Sequence, residues 1–183
     1  MKHLLLIPLF TLPAAQAQQD PVDAVAHALA RGFAGEQSGD AKAMLAAAGV
    51  LQSRGAKPAA GEADISVQWQ TQARRRGAKF RPAAPYRGRA MGPAYRRGVL
   101  AAGESLSTEQ VFLAGQKASV TLVPQPSRHL TIRILTPDRK NLCELTATAP
   151  RAACNWLPMF TTRVRIQVTN GSKQPAHYFL VSN

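Results

Sequence analysis

The sequence predicts a mainly β protein: a C-terminal antiparallel, jelly-roll-like β-sandwich of about eight strands, preceded by a small helical hairpin and a basic linker. Three observations carry this. Val120-Thr121-Leu122, Leu130-Thr131-Ile132-Arg133-Ile134 and Val164-Arg165-Ile166-Gln167-Val168 each put every second side chain on one apolar face, the period of a half-buried strand. Turn formers such as Ala114-Gly115-Gln116, Pro137-Asp138-Arg139-Lys140 and Asn170-Gly171-Ser172 separate the runs, favouring hairpins over strand–helix alternation. Helical spacing is confined to the first third of the chain.

Residues 1–17 read as a secretory signal peptide. Lys2 and His3 precede the apolar run Leu4 to Leu12, Pro13 breaks it, and Ala15-Gln16-Ala17 supplies the small residues of a cleavage site. A membrane span needs about 20 apolar residues, more than this run offers. No later segment is long and apolar enough to span either, so the mature chain is expected to be soluble and exported, periplasmic or secreted, from Gln18 onward.

Residues 18–55 read as the helical hairpin. Asp20-Pro21 has the form of an N-cap followed by proline at the first helical position. Val22, Val25, Ala26, Leu29 and Phe33 recur on one face, and Gly35 is the expected stop. Ser38 or Asp40 opens a second helix carrying Met44, Leu45, Ala48 and Leu51, with Gly55 as its end. The shared face is rich in alanine, and short helices depend on packing elsewhere. Such a unit must dock on the sandwich, dimerise or stay loosely folded.

Residues 56–92 read as linker. Ile65, Val67 and Trp69 alternate and suggest a short strand there. Residues 65–103 hold nine bases and no acid: Arg74, Arg75, Arg76, Lys79, Arg81, Arg87, Arg89, Arg96 and Arg97. The whole chain carries a formal charge of +13, so the excess is concentrated here. With Phe80, Tyr86 and Tyr95 interspersed, these cations are candidates for polyanion binding. The competing reading is a solvated linker, since proline, glycine and like charges oppose a packed core.

Residues 93–183 read as the sandwich, with strands near 95–100, 108–113, 117–123, 129–135, 141–146, 153–157, 162–169 and 176–182. Cys143 and Cys154, in an exported chain, fit a disulfide closing a hairpin between neighbouring strands rather than two free thiols. If Cys143 and Cys154 face inward, so do Leu145 and Trp156, and the indole packs beside the bridge.

The order of short motifs in this segment resembles the bacterial pre-peptidase C-terminal domain family. Tyr95 to Leu100 with Gly103-Glu104, Val111 to Gln116, the two cysteines with Trp156-Leu157-Pro158, Val164 to Asn170, and Tyr178-Phe179-Leu180 with Asn183 carry the likeness. The resemblance implies a small β-sandwich, appended to secreted peptidases or present in short exported proteins. Where some members carry an Asp-x-Asp resembling a calcium site, this chain has His129-Leu130-Thr131. Calcium needs acidic oxygen ligands, so no metal and no cofactor is expected.

Catalytic patterns are lacking. His27, His129 and His177 are far apart, no GxSxG surrounds a serine, and neither CxxC nor HExxH occurs. The expectation is a non-enzymatic exported binding protein that contacts an anionic glycolipid, polysaccharide or membrane surface; nucleic acid is not the expected partner. The alternative is an accessory or chaperone-like partner of another exported protein, a peptidase for example, docking through the N-terminal helices.

Overall fold

The computed structural model describes residues 20–79, 92–125, 129–147 and 150–183. The expected signal peptide, Arg81, Arg87 and Arg89 lie outside these residues. Three helices come first: α1 (Pro21–Ser38), α2 (Ala41–Ser53) and α3 (Ile65–Arg75). Strand β1 (Lys57–Pro58) lies between α2 and α3. The sandwich strands are β2 (Ala94–Leu100), β3 (Ser105–Phe112), β4 (Ala118–Gln125), β5 (Leu130–Leu135), β6 (Asn141–Ala147), β7 (Ala152–Trp156), β8 (Thr162–Asn170) and β9 (Ala176–Ser182). Each of these eight overlaps a strand expected from the sequence.

The first sheet has the order β1-β2-β9-β4-β7, the second β3-β8-β5-β6. Counting only β2 to β9, the first strand pairs with the eighth, the second with the seventh, the third with the sixth and the fourth with the fifth. That nested pairing is the jelly roll. Between the sheets lie Leu100, Phe112, Val120, Leu122, Leu130, Ile132, Ile134, Val164, Ile166, Val168, Tyr178 and Leu180. Gly98 is needed here, because a Cβ would sit 2.4 Å from the Tyr178 hydroxyl.

The helices form a third layer on the outer face of the first sheet. Tyr95, Val123, Phe179 and Val181 point away from the sandwich core and join Val22, Val25, Leu29, Phe33, Met44, Leu51, Ile65 and Trp69 in a second core. This explains why β4 and β9 are buried on both faces, so that even Ser119 and Thr121 on β4 are buried. The alanine-rich faces of α1 and α2 are thus packed within the chain.

Helix α1 runs past Gly35 to a left-handed Gly39 (φ 78°). Gly35 serves close packing instead of termination, because a Cβ there would come within 2.9 Å of the Ala43 Cβ on α2. Asp20 and Asp40 cap the two helices.

Within the stretch read as linker, residues 65–75 form helix α3 instead of the strand expected at 65–69. Asp64 caps it by accepting from the Ser66 backbone at 2.9 Å. Ile65, Trp69 and Ala73 recur four apart and are buried, while Val67 is 54% exposed. Positions 65 and 69 suit both periods, and Val67 faces solvent because the helical one prevails. The Tyr95 hydroxyl donates to Asp64 (3.0 Å) and accepts from the Ile65 amide (3.1 Å), tying α3 to β2. Burial, with the Asp64 carboxylate beside it, pushes that phenol well above the ordinary tyrosine range.

Cys143 and Cys154 are bonded, with Cα atoms 6.0 Å apart. They do not close a hairpin within one sheet: β6 edges the second sheet and β7 the first, so the bridge staples two layers. Cys154 is buried and Cys143 half-buried. Leu145 remains 41% exposed, because β6 is an edge strand and β7 opposite it is only five residues long. Trp156 is half-buried, its ring 4.8 Å from that of Phe112. Replacing both cysteines by serine should cost about 2–3 kcal/mol, read as a lower urea midpoint that matches the reduced wild type.

Candidate functional site

With the first sheet roofed by helices, the outer face of the second sheet is the broad sheet surface left open. Its side chains form rows across the strands, roughly 4.8 Å apart. One row is hydroxyl: Ser105 lies opposite Thr169, Thr169 opposite Thr131, and Thr131 opposite Thr146. Their oxygens bond in pairs at 2.8 and 3.0 Å. The next row is Ser107, Gln167, Arg133 and Glu144, and the one after it holds Glu109 and Arg165. Arg133, Arg163 and Arg165 point outward, as expected from their alternation with Ile132, Ile134, Val164 and Ile166.

Arginines converge at one edge of this face. Arg139, Arg163 and Arg165 line a shallow cleft of about 250 Å³ with Leu135, Thr136 and Glu109. Arg139 sits in the β5–β6 turn with a left-handed backbone (φ 62°). That turn is built by Thr136, whose amide donates to the Lys140 carbonyl and whose hydroxyl accepts from the Lys140 amide. Glu109 is shared between Arg163 (3.6 Å) and Arg165 (3.2 Å), so two of the three guanidinium groups of the cleft pair with one carboxylate and Arg139 lines the same cleft beside them. Exposed ion pairs of this kind contribute little to folding, so exchanging Glu109 for an external anion would cost the fold little. Along the face, the bond from Arg133 to Glu144 (2.6 Å) holds the carboxyl below its ordinary range and the guanidinium above its own.

The cations selected from the sequence are divided by the fold. Arg74 and Arg75 occupy the last turn of α3, where positive charge complements the helix dipole. Arg76 and Lys79 follow, exposed, and the Arg76 guanidinium lies against Gly39 at the end of α1. Arg96 pairs with Glu62 at 3.5 Å and Arg97 with Glu36 at 3.4 Å. The Arg97 guanidinium also lies 5.1 Å from the centre of the Phe33 ring. Glu36 further accepts from the Trp69 indole (3.3 Å) and the Gln72 amide (3.4 Å). Arg97 is therefore part of the joint between α1, α3 and β2.

His27, His129 and His177 stay apart. His27 contacts Arg151, His177 lies beside Phe33, and His129 immediately precedes β5. Among the described residues no group of three His, Cys, Asp or Glu side chains is placed to hold a metal ion, and no helix is long and apolar enough to cross a membrane.

Two features were missed from the sequence. One is Arg139, whose part depends on a turn geometry that a run of turn formers does not specify. The other is the loop between β7 and β8, where Leu157, Met159 and Phe160 are 60%, 80% and 80% exposed. The signal was present: Trp156 to Phe160 is an apolar run broken by Pro158, with no alternation to bury it.

No family model matches the chain, and no curated protein matches it. Among solved structures, it is similar to the pre-peptidase C-terminal domain of a collagenase from Bacillus anthracis, at 12% identity, 49% of this chain, 87% of that one and a TM-score of 0.42. It is also similar to a periplasmic inhibitor of g-type lysozyme from Aeromonas hydrophila (14%, 50% and 84%, TM-score 0.38). A third likeness is to a capsular polysaccharide assembling protein of Staphylococcus aureus (14%, 48% and 23%, TM-score 0.32). Each likeness is partial and weak, and none assigns a function.

Proposed function

We propose that this chain is an exported, non-enzymatic binding protein of the periplasm or the medium, whose sandwich holds an anionic component of the envelope or its surroundings. The observation that carries the reading is the cleft lined by Arg139, Arg163 and Arg165, in which a single carboxylate, Glu109, is shared by two of them. Guanidinium forks suit carboxylate, sulfate and phosphate groups, and the overall charge of +13 steers such ligands toward the surface. The disulfide is compatible with export. Arg74, Arg75, Arg76 and Lys79 supply a second cationic region at the far end of the helical layer. Arg96 and Arg97 belong to the scaffold in this reading. The alternative, docking on a partner through the helices, is less favoured because their alanine-rich faces are already buried.

The test is salt elution from immobilised dextran sulfate. The variant R139S/R163S/R165S should elute at clearly lower salt than the wild type, because fewer cations compete with the counterions. Glu109→Gln should move elution the opposite way, since it removes the internal competitor. If both variants elute with the wild type while R74S/R75S/R76S shifts, the cleft is not the site.

A further inference from the structure

We infer that the end of the sandwich bearing Leu113, Leu157, Met159 and Phe160 inserts into the headgroup region of an anionic phospholipid bilayer. The inference rests on the reading above that the partner is anionic, and it names the partner of that same end of the molecule. The β3–β4 and β7–β8 loops are fastened to one another there. The Gly115 amide donates to the Pro158 carbonyl (2.9 Å), and the Ala114 amide to the Thr161 hydroxyl (3.1 Å). These bonds gather Leu113, 52% exposed, and the Leu157 to Phe160 loop into one knuckle. Exposed apolar side chains scattered singly need no explanation, but a gathered group does.

The charges around the knuckle select the occupant. Register places Val111 opposite Arg163 and Leu135 opposite Arg165, so the β5–β6 turn with Arg139 and Lys140 lies at this same end. Lys117 follows the β3–β4 turn. Against these five cations stand Asp20, Glu109 and Asp138, each already paired to one of them or shared by two, and Asp23, which lies near Lys117 and pairs with a further cation, Arg151. Partial burial raises the Asp20 carboxyl, but its 2.6 Å bond to Lys117, the Val22 amide and the Lys117 charge together hold it below its ordinary range. Apolar side chains projecting beyond a cationic collar match a bilayer, in which acyl chains lie beneath anionic headgroups. Met159 and Phe160 protrude rather than line a groove. A lipid surface accepts that shape without needing a complementary pocket.

The test is flotation of the purified mature chain with vesicles of phosphatidylglycerol mixed with phosphatidylcholine, and with phosphatidylcholine alone. Binding is expected to the mixed vesicles and not to the neutral ones. The variant M159S/F160S should partition about tenfold less or more weakly still, with an unchanged thermal midpoint and unchanged elution from dextran sulfate. A second readout is Phe160→Trp, whose emission should be quenched by acyl-brominated phosphatidylglycerol more than that of the wild type. Equal vesicle binding by M159S/F160S overturns the inference while leaving the anion-binding reading intact. So does a wild-type dimer in sedimentation that the same variant dissolves, because the knuckle is then a contact between copies. Failure to bind either vesicles or dextran sulfate overturns both.

Discussion

Trp69→Ala is expected to destabilise the protein by about 3–5 kcal/mol, the range for emptying a large buried aromatic site. In a chain of this size that lowers the thermal midpoint by roughly 10 °C. The indole is fully buried, and its ring fills the space over Gly32. Its nitrogen donates to Glu36, which also accepts from Gln72 and pairs with Arg97. Removing the ring opens a cavity between α1 and α3 and takes one donor from a partly buried carboxylate. Gly32→Ala probes the same contact from the other side: its Cβ would lie 2.2 Å from an indole that has no room to move. Calorimetry should show one transition, because the second core includes sheet residues as well as helix residues. A separate low-temperature helical transition, or a midpoint equal to the wild type, would show that the helices are not integral to the fold.

The second large effect is expected on removing the helical layer. A fragment of residues 93–183 would expose Tyr95, Val123, Phe179 and Val181, each no more than 2% exposed in the full chain. That stripe crosses adjacent strands β2, β9 and β4, forming a continuous apolar surface on an otherwise complete sandwich. Size-exclusion chromatography should find the fragment associated or aggregated, with strong binding of a hydrophobic dye. Carrying V123T, F179S and V181T, it should recover as a monomer if the sandwich core suffices alone. A monomeric, stable wild-type fragment would instead mean that the helices add little to the sheet, and would revive their role as a docking element.

The sandwich was legible because its inner core is local in pattern. Ile132, Ile134, Val164, Ile166 and Val168 alternate with polar or charged residues that face water, so period two is visible in each run. The N-terminus of α1 was equally legible, and that of α2 was narrowed to Ser38 or Asp40, of which Asp40 is the cap while Ser38 ends α1; Asp20 and Asp40 act on amides two or three residues away. Helix α3 was misread because Ile65, Val67 and Trp69 satisfy alternation over five residues. The helical period emerges only when Ala73 and the cap Asp64 are included. Gly35 was misread as a terminator because a glycine used for close helix packing looks the same in sequence as one used for a left-handed cap.

The candidate site was legible in part. Arg133, Arg163 and Arg165 could be placed outward from alternation alone, but their neighbours could not. Glu109 reaches Arg165 across a strand pair that is distant in sequence, and Arg139 joins them through a turn. The arginine-rich stretch drew attention by density, yet density does not show which charges are already answered. Arg97 is held by Glu36 and two aromatic rings, contacts made by segments more than sixty residues away.

By itself the sequence determined the period of the eight sandwich strands, the start of α1 at Asp20-Pro21 and the two cysteines, because each depends on neighbours along the chain. Only the tertiary structure decided that the disulfide joins two sheets and that the helices roof one of them. It also decided that three arginines meet in one cleft and that an apolar loop is left in water. Those outcomes depend on which distant surfaces bury one another. A side chain's exposure is settled only when its partner segment arrives, and nothing in its own neighbourhood specifies that partner.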